Sequence, residues 1–183
     1  MLKYENMKMK KSFILCTLYM VTLSFLMVSC HKKPADQGNQ ENPEQEQVQQ
    51  EGGYIDITGM TLEGTELSLS ELVGKTDFVL LDFWASWCGP CRRFMPVLAD
   101  FYYRFNDRLE ILSCSVDRDE KAWREALFEE RPAWPQIRED EAHPCSDKYE
   151  VQFIPHTVLI DREGHIVGIN LEEPELEEIL LGK

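Results

Sequence analysis

Apolar and polar residues divide this chain into three stretches of different character. From Phe13 to Val28 the residues are mostly apolar, behind Lys8, Lys10 and Lys11. The run is shorter than the ~20 residues a membrane-spanning helix needs, and it ends Val28-Ser29-Cys30. A basic flank, a short apolar stretch and a small residue before a cleavage point predict an export signal over residues 1–29. An uncleaved anchor with an incidental Cys30 is the alternative, and Met7 is a second possible start. From His31 to Gly53 the chain is Gln, Glu, Asn, Pro and Gly with hardly an apolar residue. Such a segment cannot bury enough surface to offset its ordering entropy. Residues 30–53 are therefore predicted to be a disordered tether, holding the rest of the chain about 25 Å from its point of attachment.

The third stretch, residues 54–183, alternates strand and helix patterns. Tyr54-Ile55-Asp56-Ile57 alternates, Thr58-Gly59 reads as a turn, and Thr65 to Leu69 alternates again; together they predict an N-terminal β-hairpin. Phe78 to Phe83 is apolar but for Asp82, the pattern of a strand buried on both faces. Phe94, Val97, Leu98, Phe101 and Phe105 then recur at helical spacing, with Pro96 inside the pattern to kink it. Leu109 to Val116 predicts a second buried strand, and Glu120 to Glu129 a helix with Trp123, Ala126 and Leu127 on one face. Thr157 to Ile160 and His165 to Val167 flank Asp161-Arg162-Glu163-Gly164, a hairpin with a glycine turn. Pro174 to Leu181 predicts a closing helix, with proline near its first turn. The expected fold class is α/β, a mixed central sheet flanked by helices, with the N-terminal β-hairpin as an extension to it.

Composition narrows this picture. With 183 residues, 43% of them hydrophobic, the chain holds one core plus appendages. Its formal charge of −14 should repel nucleic acid and anionic lipid headgroups, so neither is an expected partner. Six cysteines suggest a disulfide scaffold only until they are placed: Cys16 and Cys30 belong to the leader, Cys88 and Cys91 form a CxxC, and only Cys114 and Cys145 remain.

Candidate chemistry centres on Asp82-Phe83-Trp84-Ala85-Ser86-Trp87-Cys88-Gly89-Pro90-Cys91. A strand runs directly into Cys88 and a helix begins beside it, where free N–H groups and the helix dipole favour a thiolate. Pro90 suits an early helical position because its missing N–H is not needed there. Two intervening residues let Cys91 reach back to Cys88 in a small, reversible ring. Cys88, its sulfur exposed and readily ionised, would attack the substrate sulfur, and Cys91 would resolve the mixed disulfide.

Those residues resemble the thioredoxin superfamily, specifically its membrane-tethered TlpA-like and ResA-like branch. The resemblance covers the chain from about Tyr54 onward and rests on Trp-Cys-Gly-Pro-Cys behind an apolar strand, on Pro96, and on Phe153-Ile154-Pro155 before the final hairpin. It implies a thioredoxin-like fold and a cis bond at Pro155, in a loop that lies against the CxxC and pairs with substrate backbone. It also implies that Trp87, Gly89, Pro90, Ile154, Pro155 and His156 form the substrate-binding surface. Asp82 matches the family's buried acid, whose pKa in an apolar strand should be raised so that it handles the Cys91 proton. Cys30 matches the acylated first residue of bacterial lipoproteins, which would place the domain on the cell envelope facing the periplasm. Met27 departs from the Leu, Val or Ile usual in such signals. The implied activity is dithiol–disulfide exchange in the reducing direction, since Gly-Pro between the cysteines resembles thioredoxin rather than the strong oxidants of the fold. Implied partners are extracytoplasmic disulfide proteins, apocytochromes c among them, and a membrane thiol transporter as electron donor. No cofactor or metal is expected beyond the Cys88–Cys91 couple.

Three further features shape the expectations. Ser113 stands where cytoplasmic thioredoxins place a lysine near the buried acid, and His156 stands where relatives more often have threonine. Such a histidine either tunes the Cys88 thiolate or is simply an exposed loop residue. Leu171-Glu172-Glu173 puts acids where relatives present a glycine to substrates. The non-enzymatic alternative is a copper-binding protein or metallochaperone using Cys88, Cys91 and His156. No second cysteine pair supports zinc, and Arg92 stands where haem attachment needs histidine. Cys114 reads as a small buried hydrophobe, Cys145 as either an unpaired bystander or a reactive thiol in a polar loop, and Asp117 and Asp119 as strand-end and helix-cap residues.

Overall fold

The computed structural model describes residues 53–183. The predicted leader, Cys30 and all but the last residue of the tether lie outside the described residues. Gly53, placed in the tether by composition, already forms a β-bridge with His165, and the Tyr54 N–H donates to the Gly164 carbonyl.

Seven strands form one sheet: β1 (Thr58–Met60), β2 (Glu66–Ser68), β3 (Phe78–Trp84), β4 (Leu109–Ser115), β5 (Gln136–Arg138), β6 (His156–Asp161) and β7 (Ile166–Ile169). Their spatial order is β2-β1-β5-β4-β3-β6-β7. β3, β4 and β5 run parallel, and the pairs at either side are antiparallel, so the sheet is mixed as expected. The helices are α1 (Gly89–Arg104), α2 (Glu120–Glu130), α3 (Cys145–Lys148) and α4 (Glu173–Leu181). Among the described residues no helix is long and apolar enough to cross a membrane.

Alternation along β3 divides the core. Leu80 and Trp84 pack on one face with Cys88, Cys91, Met95, Leu98, Phe101 and Trp123. Val79, Leu81 and Phe83 pack on the other with Leu112, Cys114, Ile137, Cys145 and Val158. This is the period-2 logic of a strand covered on both sides. The α1 pattern buries Leu98 and Phe101, with Phe105 buried at the C-cap; Cys91 and Met95 are buried too, and the phenylalanine spacing does not reveal Met95, while Phe94 and Val97 are only partly buried.

Two expectations are corrected. The hairpin exists, but Thr58-Gly59 is strand rather than turn; the reversal comes at residues 61–65, where Gly64 has φ +77°. The hairpin is also no mere extension, because Met60 pairs with Arg138 and so joins β1 to the central sheet. The C-terminal hairpin turns as predicted, with Gly164 at φ +89°, and α4 opens with Pro174 in its first turn. β5 and α3 are elements the apolar pattern did not reveal.

Candidate active site

The dithiol sits where β3 hands over to α1. Cys88 is the N-cap of α1 in extended conformation, and Pro90 occupies its first turn. The Cys91 N–H donates to Cys88 Sγ at 3.2 Å, so an orphan helix donor is aimed at the sulfur on which negative charge would develop. Cys88 and Cys91 are joined in a disulfide with S–S 2.00 Å. The Ile154–Pro155 bond is cis, and the Ile154 carbonyl oxygen lies 3.8 Å from Cys88 Sγ. The pair and the loop thus meet as the resemblance implies. One expectation is not met: only 5% of Cys88 and 3% of Cys91 is accessible in this oxidised state. Exposure belongs instead to the surround, where Trp87 is 69% and Phe153 65% accessible and Gly89 and Pro90 face solvent. Cys88 is sheltered because it caps the helix with its sulfur against the Ile154 carbonyl.

Asp82 pairs in register with Ser113 on β4 and Thr157 on β6. Being two residues from both Leu80 and Trp84, it shares the sheet face that carries Cys91. Burial pushes its carboxyl up to about 7, opposed in part by a hydrogen bond from Ser113 Oγ at 2.9 Å. Ser113 Oγ in turn accepts from the Trp134 indole N–H at 2.9 Å. Where a lysine would supply charge, this chain supplies a neutral hydrogen-bond chain.

His156 is not brought to the sulfurs. It pairs with Phe83, whose side chain lies on the opposite face of the sheet from Cys91. Its ring packs against Phe83 and Phe153, with centroids at 6.0 and 6.1 Å. The Thr157 N–H donates to Asn170 Oδ1 at 2.8 Å, which turns the Asn170 amide nitrogen toward His156 Nδ1 at 3.2 Å. Nδ1 therefore accepts, fixing the neutral ring with its proton on Nε2. Partial burial likewise holds its pKa below the usual histidine value. The copper alternative thereby lacks its third ligand on the face where the sulfurs lie.

Asp117, read as a plain strand-end acid, has a further function. It is 3% accessible. Its Oδ2 accepts from the Ser86 N–H at 2.8 Å and from Ser115 Oγ at 2.7 Å; its Oδ1 accepts from Ser86 Oγ at 2.6 Å. This carboxylate clamps the loop that delivers Cys88. A signal existed in the serines at 86 and 115, but their convergence on one acid spans 31 residues and is not a local pattern. On the far side of the dithiol, Arg92 pairs with Glu129 and Glu130, each at 2.6 Å, fastening α1 to α2.

Comparison with known proteins agrees with this geometry. A family model described as thioredoxin-like matches residues 75–166. The thiol-disulfide oxidoreductase ResA of Bacillus cereus is 29% identical over 119 residues, 64% of this chain and 67% of that protein. Tryparedoxin of Trypanosoma brucei brucei is 32% identical over 127 residues, covering 66% of this chain and 85% of its own. Among solved structures, the thioredoxin domain of a thiol-disulfide oxidoreductase from Bacteroides vulgatus superposes with a TM-score of 0.64 at 32% identity, over 71% of this chain and 94% of that one. With a disulfide at a strand-to-helix junction beneath a cis-proline loop, and with these relatives, the chain belongs to the thioredoxin-like family as a thiol–disulfide oxidoreductase.

Proposed function

We propose that this oxidoreductase reduces disulfides in extracytoplasmic client proteins. The observation that carries the reading is the Cys91 N–H aimed at Cys88 Sγ beside the Ile154–Pro155 loop. In the dithiol state that N–H stabilises a Cys88 thiolate, which attacks one sulfur of a client disulfide and releases the other as a thiolate. Asp82, with a pKa of about 7, takes the proton of Cys91. The Cys91 thiolate then attacks Cys88 Sγ, freeing the second client thiolate and closing the ring. Trp87, Gly89, Pro90, Ile154 and Pro155 supply the docking surface. His156 borders it through Phe153 without serving the sulfurs.

The leader pattern and Cys30 support acylation there and a tethered domain facing the periplasm. A reductase in that compartment draws electrons from a membrane thiol transporter, and apocytochromes c are clients of suitable chemistry. The Cys91→Ala variant tests the reaction: in the native host it should accumulate clients as mixed disulfides on Cys88. Absence of any trapped species, with the variant folded and Cys88 reactive, would refute the client-reductase reading. Cys30→Ala tests the location; protein that stays in the membrane fraction would refute the lipid anchor.

A further inference from the structure

Two cysteines outside the reaction lie together. Cys114 on β4 and Cys145 at the start of α3 are 31 residues apart in sequence, unpaired, and 0% and 1% accessible. Their sulfurs and a carboxylate oxygen of Glu139 all lie within 4.8 Å of one another. Both sulfurs belong to the core face opposite the Cys88–Cys91 disulfide, so the sheet separates the two pairs. We propose that Cys114 and Cys145 are a second dithiol that closes to a buried structural disulfide, fastening the segment that leads into the Ile154–Pro155 loop to the central sheet.

The surroundings favour a neutral sulfur. Cys145 Sγ lies 3.2 Å from the Thr58 carbonyl oxygen and 3.4 Å from that of His143. Two thiolates here would face those oxygens and the Glu139 carboxylate with little solvent. The thiol, which donates to those carbonyl oxygens, and the disulfide that would replace it are both neutral. Coordination of a soft metal would require the two thiolates, and Glu139 is already occupied, accepting from the Ser146 N–H at 2.7 Å and Ser146 Oγ at 2.9 Å. The proposal requires access through α3, a four-residue helix with Cys145 as its first residue, whose local opening would expose that sulfur and leave β4 paired. Opened to solvent, Cys145 loses its proton to water, and its thiolate attacks one sulfur of a low-molecular-weight disulfide such as oxidised glutathione and releases a first thiol. Cys114 Sγ then attacks the Cys145 sulfur of the mixed disulfide, its proton passing to the departing sulfur, which leaves as the second thiol. The protein gives up two electrons and two protons, and the reagent becomes two thiols.

The inference takes from the proposed location only its supply of oxidant. The test provides that oxidant directly and reads no exchange activity, so its failure is distinct from failure of the reductase reading. The Cys88→Ser/Cys91→Ser protein, otherwise full length, is reduced, equilibrated with oxidised glutathione, denatured without reductant, alkylated and mapped by mass spectrometry. Peptides holding Cys114 and Cys145 should be covalently joined, two hydrogen masses below their sum, with neither residue alkylated. Full alkylation of both refutes the proposal. So does stoichiometric binding of Cd2+ by the reduced protein, with thiolate charge-transfer absorption that Glu139→Gln abolishes, which would make the cluster a metal site.

Discussion

Replacing Asp82 by asparagine isolates the energetic consequence of burying an acid in β3. Its carboxyl titrates near 7 in the folded protein against an ordinary value of 3.8. Between those values the folded chain keeps a proton that the unfolded chain has lost. Stability from this group is therefore fully present below 3.8, falls as pH rises through the interval, and levels off above 7. A gap of about three pH units, at ~1.4 kcal/mol each, corresponds to ~4 kcal/mol. Asp82→Asn has no such proton. Its amide oxygen can still accept from Ser113 Oγ, while its extra buried donors cost a fixed amount at every pH. The difference in unfolding free energy, variant minus parent, should therefore rise by ~4 kcal/mol from about pH 4 to about pH 8, whatever its offset. Urea unfolding followed by tryptophan fluorescence, with the Cys88–Cys91 disulfide intact, measures both proteins across that range, and all other carboxylates cancel in the difference. A difference flat to within ~0.5 kcal/mol would refute the raised pKa and the proton-handling role built on it.

Ser113→Ala removes the hydrogen bond that stabilises the Asp82 carboxylate, so the Asp82 titration followed by carbon NMR should move above its midpoint in the parent; an unmoved or lower midpoint would contradict the assigned contact. Asp117→Ala strips the acceptor from the Ser86 N–H, Ser86 Oγ and Ser115 Oγ. It should cost ~2–4 kcal/mol by denaturant unfolding and slow disulfide exchange as well, whereas a loss under ~0.5 kcal/mol would mean the loop is held by something else. Gly59→Ala places a Cβ 3.0 Å from the Arg138 carbonyl oxygen and 3.1 Å from the Ile137 side chain; a loss of ~1–3 kcal/mol and a lower thermal midpoint are expected, and unchanged stability would show that the β1–β5 contact yields freely.

How much the sequence made legible depends on how far each signal reaches along the chain. Phe78 to Phe83 announced a doubly covered strand because burial on both faces leaves a continuous apolar run. Trp-Cys-Gly-Pro-Cys announced the redox pair because the cap, the early proline and both sulfurs fall within one helical turn. β5 escaped because three residues beginning with Gln136 carry no period, and only pairing to β4 on one side and β1 on the other makes them a strand. Thr58-Gly59 looked like a turn, yet Gly59 lies in extended backbone where its missing Cβ admits Ile137 and Arg138. The Asp117 clamp and the Cys114–Cys145 pair were invisible for one reason: each joins segments about 31 residues apart whose meeting is decided by the sheet. His156 misled differently, since its position after Pro155 suggested nearness to sulfur while strand parity turns its ring to the other face.

β3 delivers the CxxC, and β6, antiparallel beside it with Phe83 opposite His156, delivers the cis-proline loop. The Cys88 sulfur and the cis-proline loop, where the proposed docking places a client's backbone, are thus carried on neighbouring strands, whose spacing is the least adjustable dimension in the molecule. A client docking as proposed is measured against a fixed ruler. Evolution or engineering that alters which disulfides are accepted must work through the rim, at side chains such as Trp87 and Phe153, because lengthening the reach would mean rebuilding the sheet itself.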